Sequence, residues 1–197
     1  MFKPNSPSCE QNQQVILDVL KAFFIEPGEV LEIGSGTGQH AVFFTQHLPH
    51  LNWQPSDLET EHAGMNLWFE EVEHDRITAP LILDVEMSQW MVSKKDYVFT
   101  ANTTHIISSE QTEKMLAHVG KCLKAGGLFA QYGPFNYNGK YTSPSNENFD
   151  GWLKQRNPLS CIKHFETIEK LAADNGMKLF DDIEMPANNR ILVWQKK

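Results

Sequence analysis

The chain has 197 residues, 41% of them hydrophobic, and a formal net charge of −8. Those values suit one soluble domain with a substantial core and exclude a disorder-type composition. The acidic balance disfavours a general nucleic-acid binder, since phosphate contacts need clustered Lys and Arg, so a small-molecule partner is expected, with no membrane span and the oligomeric state left open.

In chain order, Val15, Ile16, Val19, Leu20, Phe23 and Phe24 recur at helical spacing after the start signal Ser6-Pro7-Ser8, and Pro27-Gly28 stops the helix. The run EVLEI predicts a short buried strand, followed by a glycine turn and a helix near residues 38–48. LNWQPSD fits a second strand, and Met65, Trp68, Phe69 and Val72 mark one face of a helix. PLILDV and DYVFTA read as strands three and four. Met115, Val119, Cys122 and Leu123 mark a helix that ends before Gly126-Gly127, and LFAQYG is strand five. QYGPFNYNGKYTSPSNENFDGWLKQRNP reads as the longest irregular segment. A helix around 162–175 then precedes KLFDDIE and RILVWQ, which flank MPANN as a terminal hairpin. This alternation predicts an α/β domain spanning 1–197, with a seven-stranded, mostly parallel sheet, an antiparallel last strand and helices on both faces. Three scattered cysteines without a C-x-x-C pair, and a start lacking a charged-then-apolar leader, fit reduced thiols and a cytoplasmic location.

The stretch VLEIGSGTGQH, from Val30 to His40, leaves a strand and opens a helix. Bare glycines let the backbone approach a ligand, and a helix N-terminus offers unpaired N–H groups. The dinucleotide pattern G-x-G-x-x-G needs its third glycine where Gln39 stands, and a phosphate loop needs Gly-Lys where Gln39-His40 stand. Glu32, two residues before Gly34, suits a cationic ligand carrying an ammonium or sulfonium. With these residues the segment resembles the E/D-x-G-x-G-x-G motif of Rossmann-like S-adenosylmethionine-dependent methyltransferases. That resemblance implies that Glu32, Gly34, Ser35, Gly36 and Gly38 lie against the cofactor's amino-acid end and ribose, with His40 shaping the pocket. It also implies Asp57 and Leu58, at the end of strand two, for the ribose hydroxyls, and Asp84 and Val85, at the end of strand three, for the adenine. SPSCEQN, ANTTHI and MPANNR further resemble a small group of methyltransferase-like proteins of unknown function, from Ser6 to about Trp194. The likeness implies the cofactor and little about the acceptor.

In such a fold the end of strand four faces the transferred methyl. Here it reads TANTTH, without the Asn/Asp-Pro-Pro-aromatic motif of amino-methylating DNA enzymes. Asn102 is a candidate hydrogen-bond partner for cofactor or acceptor. His105 is the candidate catalytic base, against the alternative of a helix-start histidine bonded to backbone. His47 and His50 lack supporting ligands, so no metal site is expected. The irregular segment concentrates Tyr132, Phe135, Tyr137, Tyr141, Phe149 and Trp152, which reads as a lid over a flat or apolar acceptor or as aromatics packed on the sheet edge. Tyr132, Phe135, Tyr137 and Asn189 are the expected acceptor contacts, and Asp150 and Arg156 the charged candidates. The N-terminal helix would cover the cofactor, with Asn12 or Glu10 reaching inward. The expected function is methyl transfer from S-adenosylmethionine to a small molecule. A cofactor-binding sensor or partner subunit without transfer activity is the alternative, and nicotinamide chemistry is disfavoured by the missing third glycine.

Overall fold

The computed structural model describes residues 3–73 and 75–197. Its elements are α1 (Pro7–Phe23), β1 (Gly28–Ile33), α2 (Gln39–His47), β2 (Leu51–Asp57), α3 (Glu59–Phe69), β3 (Leu81–Ile82), β4 (Lys95–Ala101), α4 (Ser109–Cys122), β5 (Leu123–Gly133), α5 (Pro144–Arg156), α6 (Phe165–Asp174), β6 (Met177–Met185) and β7 (Asn189–Lys196), with a 3-10 turn at Pro186–Asn188 before β7. The strands form one sheet in the order β3-β2-β1-β4-β5-β7-β6. Strands β1 to β5 pair in parallel, and β7 runs antiparallel to both β5 and β6. The expected fold class is the observed one.

Central strands of such a sheet are buried on both faces, so neighbouring residues feed opposite cores. Leu31, Val98, Phe129 and Leu192 pack on the side of Met115, Leu116 and Ile168, from α4 and α6. Val30, Phe99, Ala130 and Val193 pack on the other side against Ile16, Leu20 and Phe44, from α1 and α2. In β7 the run Ile191 to Trp194 is fully buried. Among the described residues no helix is long and apolar enough to cross a membrane.

Three expectations are corrected. The segment read as irregular contains α5, which starts at Pro144 and is capped by the Ser143 hydroxyl accepting from the Asn146 N–H. Proline at a first helical position is compatible with a helix, because its missing N–H would have no partner there anyway. Strand three shrinks to Leu81–Ile82, since Leu83 and Val85 turn down into the core. Strand five begins earlier, at Leu123, where it pairs with Lys95 before a register irregularity.

Candidate cofactor and acceptor site

The glycine turn is tied to the end of β2. The N–H groups of Gly34 and Ser35 both donate to the Ser56 carbonyl at 3.0 Å, and the Gly36 N–H donates to Asp57 Oδ2 at 2.7 Å. The other Asp57 oxygen accepts from the Leu58 N–H at 2.8 Å. Gly34 has φ +71°, and a Cβ there would lie 2.4 Å from Thr103 Oγ1, so only glycine fits. At Gly36, with φ +54°, an added Cβ would meet no protein atom, so bare backbone borders open space.

That space is a cavity of about 510 Å³ at the C-terminal ends of β1, β2 and β4. Of the residues expected around a cofactor, Gly34, Ser35, Gly36, His40, Asp57, Leu58, Asp84, Val85 and Asn102 line it. Glu61 and Gln111 join them; the sequence reading missed both, and neither carries a motif signal. Asp84 is oriented by accepting from the Glu86 N–H at 2.9 Å.

Two expected residues lie elsewhere. Glu32 does not line the cavity: it is 1% exposed beneath the turn, where its Oε2 accepts from the Trp53 indole at 2.9 Å. Burial pushes its pKa up to about 7, opposed by the hydrogen bonds it receives. Glu32 therefore braces the strand end beneath the turn. Gly38 is turned towards α3, and a Cβ there would meet the Phe69 ring at 2.9 Å.

His40 lines the cavity from behind. Its Nε2 lies 2.7 Å from Asn12 Oδ1 and its Nδ1 lies 3.9 Å from Cys9 Sγ. Burial drives its pKa down to about 4, so it is neutral at pH 7. A carbonyl oxygen only accepts, so the single ring hydrogen sits on Nε2 and donates to Asn12.

A second cavity, of about 840 Å³, lies between α1, the ends of β4 and β5, α5 and the Pro186–Asn188 turn. His105, Tyr132 and Asn189 line it, as do Asn12, Phe149, Trp152 and Arg156. The two cavities share Ser8, Asn102 and Ile106. Asn102 holds a left-handed backbone with φ 60°, and its N–H donates to the Tyr132 carbonyl at 3.0 Å. A non-glycine residue in that region is uncommon, and such strain concentrates at functional sites. His105 is buried, meets Phe149 edge-on at 5.2 Å, and makes no hydrogen bond to another described residue. That removes the backbone-bonded alternative. Burial, reinforced by the Lys163 charge, lowers its pKa to about 4.

Phe135 and Tyr137, expected as acceptor contacts, line neither cavity. Phe135 is fully buried in the core beside Leu192 and Trp194. Tyr137 stacks on Phe165 at 5.1 Å and donates to Asp182 Oδ2 at 2.9 Å. Asp150 is buried and bound by the Ile162 N–H, the Tyr141 hydroxyl and Lys154, so it pins α5 and does not enter the cavity. Asn12 points inward, whereas Glu10 is exposed. Sequence reasoning passed over Ser8, Gln11 and Val15, although together with Asn12 they fall on one face of α1. Among the described residues no cluster of three His, Cys, Asp or Glu could hold a metal ion.

A family model described as "Protein of unknown function (DUF938)" matches residues 3–196. Among solved structures, an O-methyltransferase family protein from Burkholderia thailandensis superposes with a TM-score of 0.83 at 15% identity, covering 96% of this chain and 57% of that one. A putative O-methyltransferase from Nostoc punctiforme PCC 73102 gives 0.81 at 18% identity, covering 96% and 57%. Human N-acetylserotonin methyltransferase, solved with S-adenosylmethionine, gives 0.78 at 13% identity, covering 96% and 52%. The chain has their fold and spans little more than half their length.

Proposed function

We propose that this chain, which belongs to the DUF938 family of proteins of unknown function, is an S-adenosylmethionine-dependent methyltransferase acting on a small molecule. The observation that carries this reading is the meeting of the two cavities along Ser8, Asn102 and Ile106. Methyl transfer needs just that: a cofactor and an acceptor held end to end, with water kept from the junction.

The residues present fit the cofactor. Asp57, Glu61 and Asp84 put three carboxylates around the smaller cavity, which suits a ligand carrying ammonium and sulfonium charges and ribose hydroxyls. The bare backbone at Gly36 leaves room for close approach. When bound, S-adenosylmethionine supplies a methyl group made electrophilic by its sulfonium. Asn102 is placed to orient the acceptor at the junction, Ile106 keeps that junction apolar, and His105 is the group on hand to receive a proton. Free Cys9, Cys122 and Cys161 agree with a reducing, cytoplasmic setting.

Calorimetric titration with S-adenosylmethionine, its demethylated product and NAD tests the reading, with Asp57→Ala in parallel. The expected result is binding of the first two, weakened about tenfold or more in the variant. No binding of either, or tighter binding of NAD, refutes it. Binding without transfer to any acceptor class would favour a ligand sensor.

A further inference from the structure

The two cavities differ in charge. Three carboxylates line the smaller one, but no described Asp or Glu lines the larger, although the chain carries 25 acidic residues against 17 basic ones. The larger cavity's permanently charged side chain is Arg156. Its guanidinium lies 4.5 Å over the Trp152 ring and forms no ion pair with a described residue. Trp152 is 48% exposed and stacks at 5.8 Å on Phe149, so α5 offers a flat apolar wall with a cation at its end.

Tyr132 adds a second donor. It lines this cavity, and burial raises the pKa of its phenol against the opposing influence of the neighbouring Asn12, so the hydroxyl keeps its proton. That hydrogen is available to a ligand in the cavity. His105, depressed to about 4 by burial and Lys163, takes a proton readily only from an acidic group. An unpaired cation, a hydroxyl donor and a weak base, with no carboxylate among them, complement one kind of ligand.

We propose that the larger cavity selects a flat acceptor bearing an acidic oxygen group, which enters as its anion against Arg156 and Tyr132. As an acceptor assignment it rests on the methyltransferase reading. Attack by that oxygen balances without a base: the O–CH₃ bond forms as the S–CH₃ bond breaks, the bonding pair stays on sulfur, and the oxygen and sulfonium charges cancel.

Three probes sharing one ring system test this by calorimetry, with and without the demethylated cofactor: 2-naphthoate, 2-naphthamide and 2-naphthylmethylammonium. The expected order is naphthoate first, about tenfold or more tighter than the amide, with the ammonium last. Arg156→Gln should weaken naphthoate about tenfold and leave the amide unchanged. Arg156 is exposed, and an unchanged melting curve would verify that the variant folds. Equal binding of acid and amide, a preference for the ammonium, or no naphthoate binding overturns the proposal. Failure of the demethylated cofactor to bind, with the naphthoate preference intact, would sink the methyltransferase reading and leave the anion selectivity standing.

Discussion

Replacing Glu32 with Gln should make the protein more resistant to rising pH. Glu32 is fully buried, and its pKa stands at about 7 against an ordinary 4.5. Below pH 4.5 the group carries its proton in both folded and unfolded chains, and folding incurs no cost from it. Between 4.5 and about 7 the unfolded chain has released the proton while the folded one retains it, so stability falls as pH rises. Above 7 both forms are ionised and the loss levels off. Two and a half pH units at about 1.4 kcal/mol each give a full loss of about 3 kcal/mol. At about 2–4 °C per kcal/mol for a chain of this size, that is roughly 6–12 °C in melting temperature. The glutamine keeps an oxygen for the Trp53 indole and cannot ionise, so its stability relative to wild type should climb across this window and then plateau. Denaturant melts at half-unit steps from pH 5 to 8.5 measure the difference. The histidines contribute equally to both proteins and cancel. A gap that stays constant with pH, or one that closes as pH rises, refutes the assignment of Glu32 as a buried, partly protonated brace.

In acid the sign reverses. His40 and His105 stand at about 4 in the folded chain against an ordinary 6.5, so the stability they contribute is complete above 6.5 and is lost as pH falls through 4. Each should remove up to about 3 kcal/mol, and His105→Gln should show an acid limb shallower by one proton in pH-dependent melts. Gly34→Ala should cost roughly 1–3 kcal/mol and abolish binding of the demethylated cofactor by calorimetry, because its Cβ would displace Thr103. Phe135→Ala should cost about 3–5 kcal/mol as a core cavity, whereas Phe149→Ala should chiefly weaken naphthoate; denaturant melts beside calorimetry separate the two.

Strands β1 and β2 were legible almost to the residue, since EVLEI and LNWQPSD sit between clear turn signals and their pairing adds nothing that conflicts with pattern. The cavity-lining residues Asp57, Leu58, Asp84 and Val85 were legible because the resemblance assigns them by their place in chain order after the second and third apolar runs. Glu32 was not: strand alternation sends its side chain beneath the turn to the Trp53 indole, a tertiary contact that the motif does not encode. Helix α5 was hidden because Pro144, Ser143 and the asparagines are turn residues in one context and cap residues in another. Aromatic density alone could not separate Phe135, which enters the core, from Phe149, which borders the cavity, because packing partners far away in sequence decide between them. The larger cavity is assembled from α1, β4, β5, α5 and the last turn, and no local window contains it.

Strand β7 lies inside the sheet yet follows both of its neighbours in the chain. During synthesis from the N-terminus, Leu128 to Gly133 of β5 must wait with an unpaired edge until Arg190 to Gln195 have been made. Strand β6 has no place to dock before then, because β7 is its partner in the sheet. The sheet therefore cannot close until β7 has been made. A ribosome that stops before Ile191 releases a chain with an open apolar edge, the form most prone to aggregate and most readily engaged by chaperones.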